Sequence, residues 1–330
     1  MKSVFVGGND IIRVYGEENT RILENEFGRD STILSKEDVL SGKAVDSEYI
    51  FSTWGMPQFS VDEIKQYLPN VKAVFYSAGS VQSFAHEFIE AGVKVFSAWG
   101  ANAVPVAEYT VAQIILANKG FYQLSRRITN RGAHYKAYDL FHTYCGNYDC
   151  NIGIIGAGMI GKLVINMLKP YRLNVKVFDP FLPDEKAEEL GVEKSSLEEI
   201  FSTCQTISNH LANNAQTVGM LNYSLFSKMM PNATFINTGR GAQIVEADLV
   251  KALEEQPDRT AVLDVTMPEP PEEDSPLYTT PNVFLTPHIA GSAGNEVRRM
   301  SEFMIDEARL FTNGQPTRYE VTKEMLKTMA

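Results

Sequence analysis

The sequence predicts an α/β protein made of two Rossmann-like or flavodoxin-like, doubly wound parallel-sheet domains. Three observations carry that reading. Short β-rich runs alternate with helical patterns from the first residues to about Leu285. A G-x-G-x-x-G lies between an apolar strand and an apolar-faced helix. The chain is 330 residues long, and single cores rarely grow past ~250 to 300 residues.

The first series of strands reads "SVFVG", "EYIFSTWG", "VKAVFYS" and "VKVFSA", beginning at Ser3, Glu48, Val71 and Val93. Between them, "SVDEIKQYLPN" predicts a helix capped by Ser60 and ended by Pro69, and "SFAHEFIEAG" one that ends at Gly92. The apolar stretch Ala103 to Gly120 has the period and length of a buried helix of about four turns, suited to connecting two domains. Residues 121 to 150, aromatic and polar with little regular period, read as a long excursion across the surface or onto a partner subunit. A second alternating series then runs from Asn151 to about Leu285.

Hydrophobic residues make up 44 % and charged residues 22 % of the chain, the composition of a soluble globular protein. Lys plus Arg number 30 against 41 Asp plus Glu, a formal charge of -11. Such a surface repels phosphate backbones and anionic lipid, so neither nucleic acid nor membrane is an expected partner. "MKSVFVGGND" offers no long apolar core and no A-x-A pattern of a secretory leader. Cys145, Cys150 and Cys204 are odd in number and lack C-x-x-C spacing, which predicts reduced thiols and a cytoplasmic location. His134, His142, Cys145 and Cys150 contain metal-ligand atoms but not the spacing of a zinc site, so no metal is expected.

The glycine motif is Gly156-Ala157-Gly158-Met159-Ile160-Gly161. Gly156 permits a tight turn, Gly158 lets a pyrophosphate approach the backbone, and Gly161 lets helix and strand pack closely. The helix N-terminus, opened by Met159 and Ile160, supplies free N–H groups and positive potential. The next strand, "NVKVFD", ends in Asp179, whose carboxylate suits ribose hydroxyls and repels a 2′-phosphate, with only Pro180 and Phe181 after it. NAD is therefore predicted over NADP.

Three further strand ends carry polar residues where open α/β sheets bind ligands, in "ATFINTGRG", "TAVLDVTMPEP" and "NVFLTPHIAG". Arg240 stands between two glycines as a planar clamp for a carboxylate. Asp264 ends its strand, and Glu269 lies in a proline-rich loop able to hold a carboxylate in place. His288 follows Pro287 at the tip of its strand, with Ala290, Gly291 and Ser292 leaving room beside it. An arginine, a carboxylate and a histidine beside a dinucleotide motif point to chemistry on a small carboxylic acid.

These residues, with "VAEYTVAQIILA", "NTGRGAQIVEADLVKALEE" and "DSPLY", resemble the D-isomer-specific 2-hydroxyacid dehydrogenase family over most of the chain. The resemblance implies Arg240, Glu269 and His288 as the catalytic set, with His288 exchanging a proton with the substrate and Glu269 bonded to its other ring nitrogen. It implies that Arg240 binds the substrate carboxylate and that Asp264 holds the nicotinamide carboxamide. His210, Thr238, Gly239 and Gly291 join the glycine motif as implied cofactor contacts. In "YSAGSVQ", Ala78, Gly79 and Ser80 match a loop whose N–H groups hold the substrate carboxylate, and "STWGMP" places Trp54 beside it. The implied architecture inserts an NAD-binding domain, residues 101–291, into a substrate-binding domain formed by 1–100 and 292–330. A homodimer formed through the cofactor domain is also implied.

The chain departs from the family pattern at three places. Gln82 and Ser83 stand where many members have an aspartate; Tyr76 stands where phosphoglycerate-type enzymes have an arginine; and "HLANNAQT" lacks the usual proline. Tyr76 argues for an unphosphorylated 2-oxo acid, as in glyoxylate or hydroxypyruvate reductases, over 3-phosphoglycerate. The alternative of a different class is a dinucleotide-sensing binding protein similar to the C-terminal binding protein corepressors.

Overall fold

In a computed structural model describing residues 2–327, the chain divides into two units, Met1–Asn102 with Ser292–Ala330, and Ala103–Gly291. The first unit holds strands β1 (Ser3–Val6), β2 (Arg29–Leu34), β3 (Tyr49–Ser52), β4 (Ala73–Tyr76) and β5 (Lys94–Ser97). They form one parallel sheet in the order β2-β1-β3-β4-β5. Alternate residues supply two cores. Val4, Ile50, Val74 and Val95 pack with Ile64 and Phe88 on one face, while Phe5, Phe51, Phe75 and Phe96 pack with Val14, Met300 and Met304 on the other.

The second face is an aromatic ladder. Phe51, Phe75 and Phe96 occupy matched positions on three adjacent strands, and their rings stack 5.2 and 5.0 Å apart. The helices Asp10–Phe27 and Val297–Thr312 cover it. Neither β2 nor the helix Asp10–Phe27 stands out in the sequence. Gly16, at φ 59 and ψ -174, interrupts the helix and breaks its apolar period. Ser60 caps the helix Val61–Tyr67 in a reciprocal capping box with Glu63, the start that its pattern predicts.

The second unit holds β6 (Tyr148–Ile155), β7 (Arg172–Phe178), β8 (Glu193–Lys194), β9 (Thr206–Asn209), β10 (Thr234–Asn237), β11 (Thr260–Leu263) and β12 (Val283–Leu285). The order is β12-β11-β10-β9-β6-β7-β8, all parallel. Strand order therefore reverses between β6 and β9, which opens a crevice at their carboxyl ends. The connecting helix runs Trp99–Asn118, starting four residues ahead of its apolar pattern and stopping before Gly120, which turns at φ 70.

Two expectations are corrected. Residues 121 to 150 are largely helical rather than irregular, with helices Phe121–Arg127 and Arg131–Phe141. Asn130 caps the second of these by accepting from the Ala133 N–H at 2.9 Å. Both helices are short, and their aromatics Phe121, Tyr135 and Tyr138 are exposed instead of marking a buried face. Cys145 and Cys150 are joined by a disulfide across a turn that passes through Gly146 (φ 68) and Asp149 (φ 51), so these two are not reduced thiols. Cys204 is free and buried, and burial pushes its thiol pKa up to about 11.

Replacing Phe75 with Ala removes the middle ring of the ladder and leaves a cavity in a layer with no space to collapse. We expect a loss of ~3 to 5 kcal/mol in urea unfolding, with Phe75→Leu losing much less.

Candidate functional site

The glycine loop follows β6 at the point of strand-order reversal. Gly156 adopts φ 91, and a β-carbon there would lie 2.7 Å from the His210 carbonyl oxygen. A β-carbon on Gly161 would lie 2.0 Å from the Gly156 carbonyl oxygen, so no other residue lets helix and loop pack this closely. A β-carbon on Gly158 would meet nothing within 4 Å and would fill the open cradle above the loop. Gly158 is the N-cap of the helix Met159–Leu168, with no side chain accepting from the first turn. Met159 is exposed and Ile160 half-buried at that end. A helix N-terminus that opens on free space, with no capping side chain among the described residues, fits a pyrophosphate.

Asp179 lies just past β7 and bends back to the loop. One carboxylate oxygen accepts from the Ala157 N–H and the other from the Phe181 N–H, each at 2.8 Å. His210 follows β9 and is buried. Its Nε2 pairs with the Ser208 hydroxyl at 2.9 Å, and its Nδ1 has no partner among the described residues. Burial keeps the ring neutral, pushing its pKa down to about 4. An orphaned buried nitrogen next to the glycine loop, together with the open cradle, fits a dinucleotide.

The catalytic candidates gather at the carboxyl ends of β10, β11 and β12. Asp264, buried at the end of β11, organises them. Its carboxylate accepts from the Thr286 hydroxyl at 2.5 Å, the Ile289 N–H at 2.8 Å and the Ala290 N–H at 2.9 Å. The His288 N–H donates to the Asp264 carbonyl at 3.0 Å. Held on both sides, His288 adopts φ 54, a left-handed conformation uncommon for a residue with a β-carbon. Its Nδ1 lies 2.6 Å from Glu269 Oε1, and both side chains are roughly half exposed.

Arg240 follows β10. Its Nη1 donates to the Gly239 carbonyl at 2.8 Å, burial lowers its pKa, and the nearby Glu269 charge opposes that shift. A β-carbon on Gly241 would lie 2.0 Å from the Thr266 carbonyl carbon, so glycine is required where the arginine loop crosses the β11 loop. Thr238 is buried with its hydroxyl 3.2 Å from that of Thr110. Gly239 and Gly291 flank this group, Gly239 buried and Gly291 half-buried. The structure thus assembles Arg240, Glu269, Asp264 and His288 into one cluster. Sequence reasoning missed three buried amides around Arg240, those of Asn209, Asn237 and Gln243. The signal was present: "TISN" and "TFIN" both end in asparagine.

Trp54, Ala78, Gly79 and Ser80 belong to the first unit, at the carboxyl ends of β3 and β4. Trp54 is half-buried under the Arg13 guanidinium, 5.4 Å from its ring centroid. The Ala78 and Gly79 carbonyls accept from the Ser97 hydroxyl at 2.9 and 2.5 Å, and Ser80 is exposed. Among the described residues, no group of three His, Cys, Asp or Glu side chains is placed to hold a metal ion. No helix among them is long and apolar enough to cross a membrane.

Comparison with known proteins agrees with this chemistry. Residues 111–290 match the family model described as "D-isomer specific 2-hydroxyacid dehydrogenase, NAD binding domain". A D-3-phosphoglycerate dehydrogenase of Archaeoglobus fulgidus is 28% identical over 266 residues, 80% of this chain and 50% of that protein. One from Bacillus subtilis is 32% identical over 228 residues, 68% of this chain and 42% of that one. The chain spans about half the length of these curated relatives. A D-isomer specific 2-hydroxyacid dehydrogenase from Lactobacillus delbrueckii ssp. bulgaricus, solved in NAD complexed form, shares the fold. Its TM-score is 0.79 at 19% identity, covering 98% of this chain and 100% of that chain.

His210 gives the site a pH signature. Its folded pKa lies near 4 and its unfolded pKa near ~6.5, so between those values the unfolded chain binds a proton that the folded chain refuses. Stability from this group is complete above pH ~6.5 and falls as pH drops toward ~4, by up to ~1.4 kcal/mol per pH unit. Urea unfolding of wild type and His210→Gln at pH 7, 6 and 5 should show the wild type losing more. Parallel losses would mean that the ring is not held neutral.

Proposed function

Because the chain belongs to the D-isomer specific 2-hydroxyacid dehydrogenase family and contains its NAD-binding domain, we propose that it is an NAD-dependent oxidoreductase. It interconverts a small, unphosphorylated 2-oxo acid and the matching D-2-hydroxy acid, as a glyoxylate or hydroxypyruvate reductase does. The observation that carries this reading is His288, held at its strand tip with Nδ1 on Glu269 at 2.6 Å and Nε2 without a partner among the described residues. A ring fixed at one nitrogen and open at the other is arranged to pass one proton.

A nicotinamide held there would provide the hydride chemistry at C2 of the substrate. In reduction, His288 Nε2 gives its proton to the carbonyl oxygen, and in oxidation it takes the proton back from the hydroxyl. Glu269 orients the ring through Nδ1. Arg240 binds the substrate carboxylate and polarises the carbonyl. The Gly156–Gly161 loop binds the pyrophosphate, Asp179 the ribose, and His210, Thr238, Gly239 and Gly291 line the remaining cofactor surface. Asp264, whose oxygens already accept from the His288 turn, would hold the nicotinamide carboxamide. Trp54, Ala78, Gly79 and Ser80 are the proposed substrate-binding residues of the first unit.

Tyr76 supports an unphosphorylated substrate. It is buried on β4 within the apolar core, and a phenol is never cationic, so this position supplies no positive charge for a phosphate. The names of the Archaeoglobus and Bacillus relatives favour 3-phosphoglycerate as the second reading. A homodimer is supported by the exposed Phe121, Tyr135, Tyr138 and Phe141 of the two helices after Gly120. The cytoplasmic assignment rests on the cofactor, because NAD(H) is an intracellular metabolite.

Loss of nicotinamide absorbance is the test, with NADH and glyoxylate, hydroxypyruvate, phosphohydroxypyruvate, pyruvate, phenylpyruvate and 2-oxoisocaproate. We expect turnover with hydroxypyruvate or glyoxylate exceeding that with the phosphorylated acid. Tight NADH binding without turnover on any of them would replace the enzyme reading with that of a dinucleotide-sensing protein. His288→Ala should lower kcat by ~100 to 10,000-fold and leave NADH affinity within about twofold. Equal loss of both would make His288 structural.

A further inference from the structure

Asn209 and Asn237 end adjacent parallel strands at the same register, and both side chains are fully buried, as is that of Gln243. Gln243 Oε1 accepts from Asn209 Nδ2 at 2.6 Å and from the Arg240 N–H at 3.2 Å, while its Nε2 donates to the Leu211 carbonyl at 2.7 Å. Asn237 Nδ2 donates to the Arg240 carbonyl at 3.1 Å. Asn237 Oδ1 accepts from Asn209 Nδ2 at 2.9 Å and from the Gly239 N–H at 3.1 Å. Asn209 Oδ1 accepts from the Leu211 N–H at 3.3 Å. Three side chains thus hold the N–H and the C=O of two residues, Arg240 and Leu211, which lie in different loops.

We propose that Asn209, Asn237 and Gln243 are a positioning unit, with Gln243 as its hub, that sets the backbone of Arg240 against the loop after His210. The proposal rests on the reading of Arg240 as the substrate-carboxylate residue. Moving either loop alone breaks hydrogen bonds made by three fully buried amide side chains, which have no water to replace the lost partners, so the two loops hold one relative position. Gly239 makes the arrangement possible, because a β-carbon there would lie 2.8 Å from Gln243 Oε1 and 3.0 Å from Asn209 Nδ2. If the amides only filled space, an apolar side chain of the same length would serve. If they position the loops, it would free both loops at once.

The experiment compares the full-length wild type with Gln243→Met by hydrogen–deuterium exchange and by NADH-saturated kinetics with glyoxylate, with Gln243→Asn as the second variant should the first fail to fold. Exchange in residues 209–213 and 238–242 should accelerate together, by roughly tenfold or more, with the central strands unchanged. KM for glyoxylate should rise roughly tenfold per folded molecule. Acceleration confined to the neighbours of residue 243 overturns the proposal. So does an unchanged KM with activity falling only in step with the folded fraction. A wild type that turns over no 2-oxo acid defeats the dehydrogenase reading instead, and the paired exchange then decides the positioning unit on its own.

Discussion

A buried carboxylate, Asp264, sets the geometry of the candidate catalytic group. A charge almost wholly removed from water needs donors on its oxygens, and here they come from one short segment: the Thr286 hydroxyl and the Ile289 and Ala290 N–H groups. Wrapping that segment around one carboxylate leaves His288 no ordinary backbone conformation, which accounts for its φ of 54. The strain at His288 is therefore the consequence of satisfying Asp264, and it aims the imidazole at Glu269.

The features that were readable in the sequence are those with a local pattern. The glycine loop announces itself because each glycine answers a separate steric demand: a positive φ at Gly156, open space at Gly158 and contact with the Gly156 carbonyl at Gly161. "TPHIAG" was readable because a proline ends the strand and small residues follow. The polar strand ends were readable because a parallel sheet places all its carboxyl ends on one edge. What could not be read depends on partners far along the chain. Asp264 looks like any acid at a strand end until Ile289 and Ala290 are brought to it, and Gln243 looks like a turn residue until Leu211 and Asn209 reach it.

Local pattern also misled where two short-range signals cancelled. The helix Arg131–Phe141 is hard to see because it is short and buries only Ala137, while its rings Tyr135 and Tyr138 stay exposed. Cysteine spacing missed the bond between Cys145 and Cys150, since the turn through Gly146 and Asp149 that brings them together is a backbone property. The helix Asp10–Phe27 was lost to a single glycine, although its buried residues complete the aromatic core of the first unit.

The electrostatics of the cluster follow from how its two halves are anchored. Arg240 is largely buried, and burial lowers its pKa while the Glu269 charge opposes the shift. Glu269 at the same time lies 2.6 Å from His288 Nδ1 and is partly open to water. One carboxylate therefore faces both a guanidinium that needs compensation for its lost hydration and the imidazole nitrogen 2.6 Å away. A substrate carboxylate on Arg240 would take over part of that compensation and leave Glu269 more fully to the ring. Under the proposed roles, the charge that would bind the acid and the charge that would support the proton donor are linked through a single side chain, Glu269.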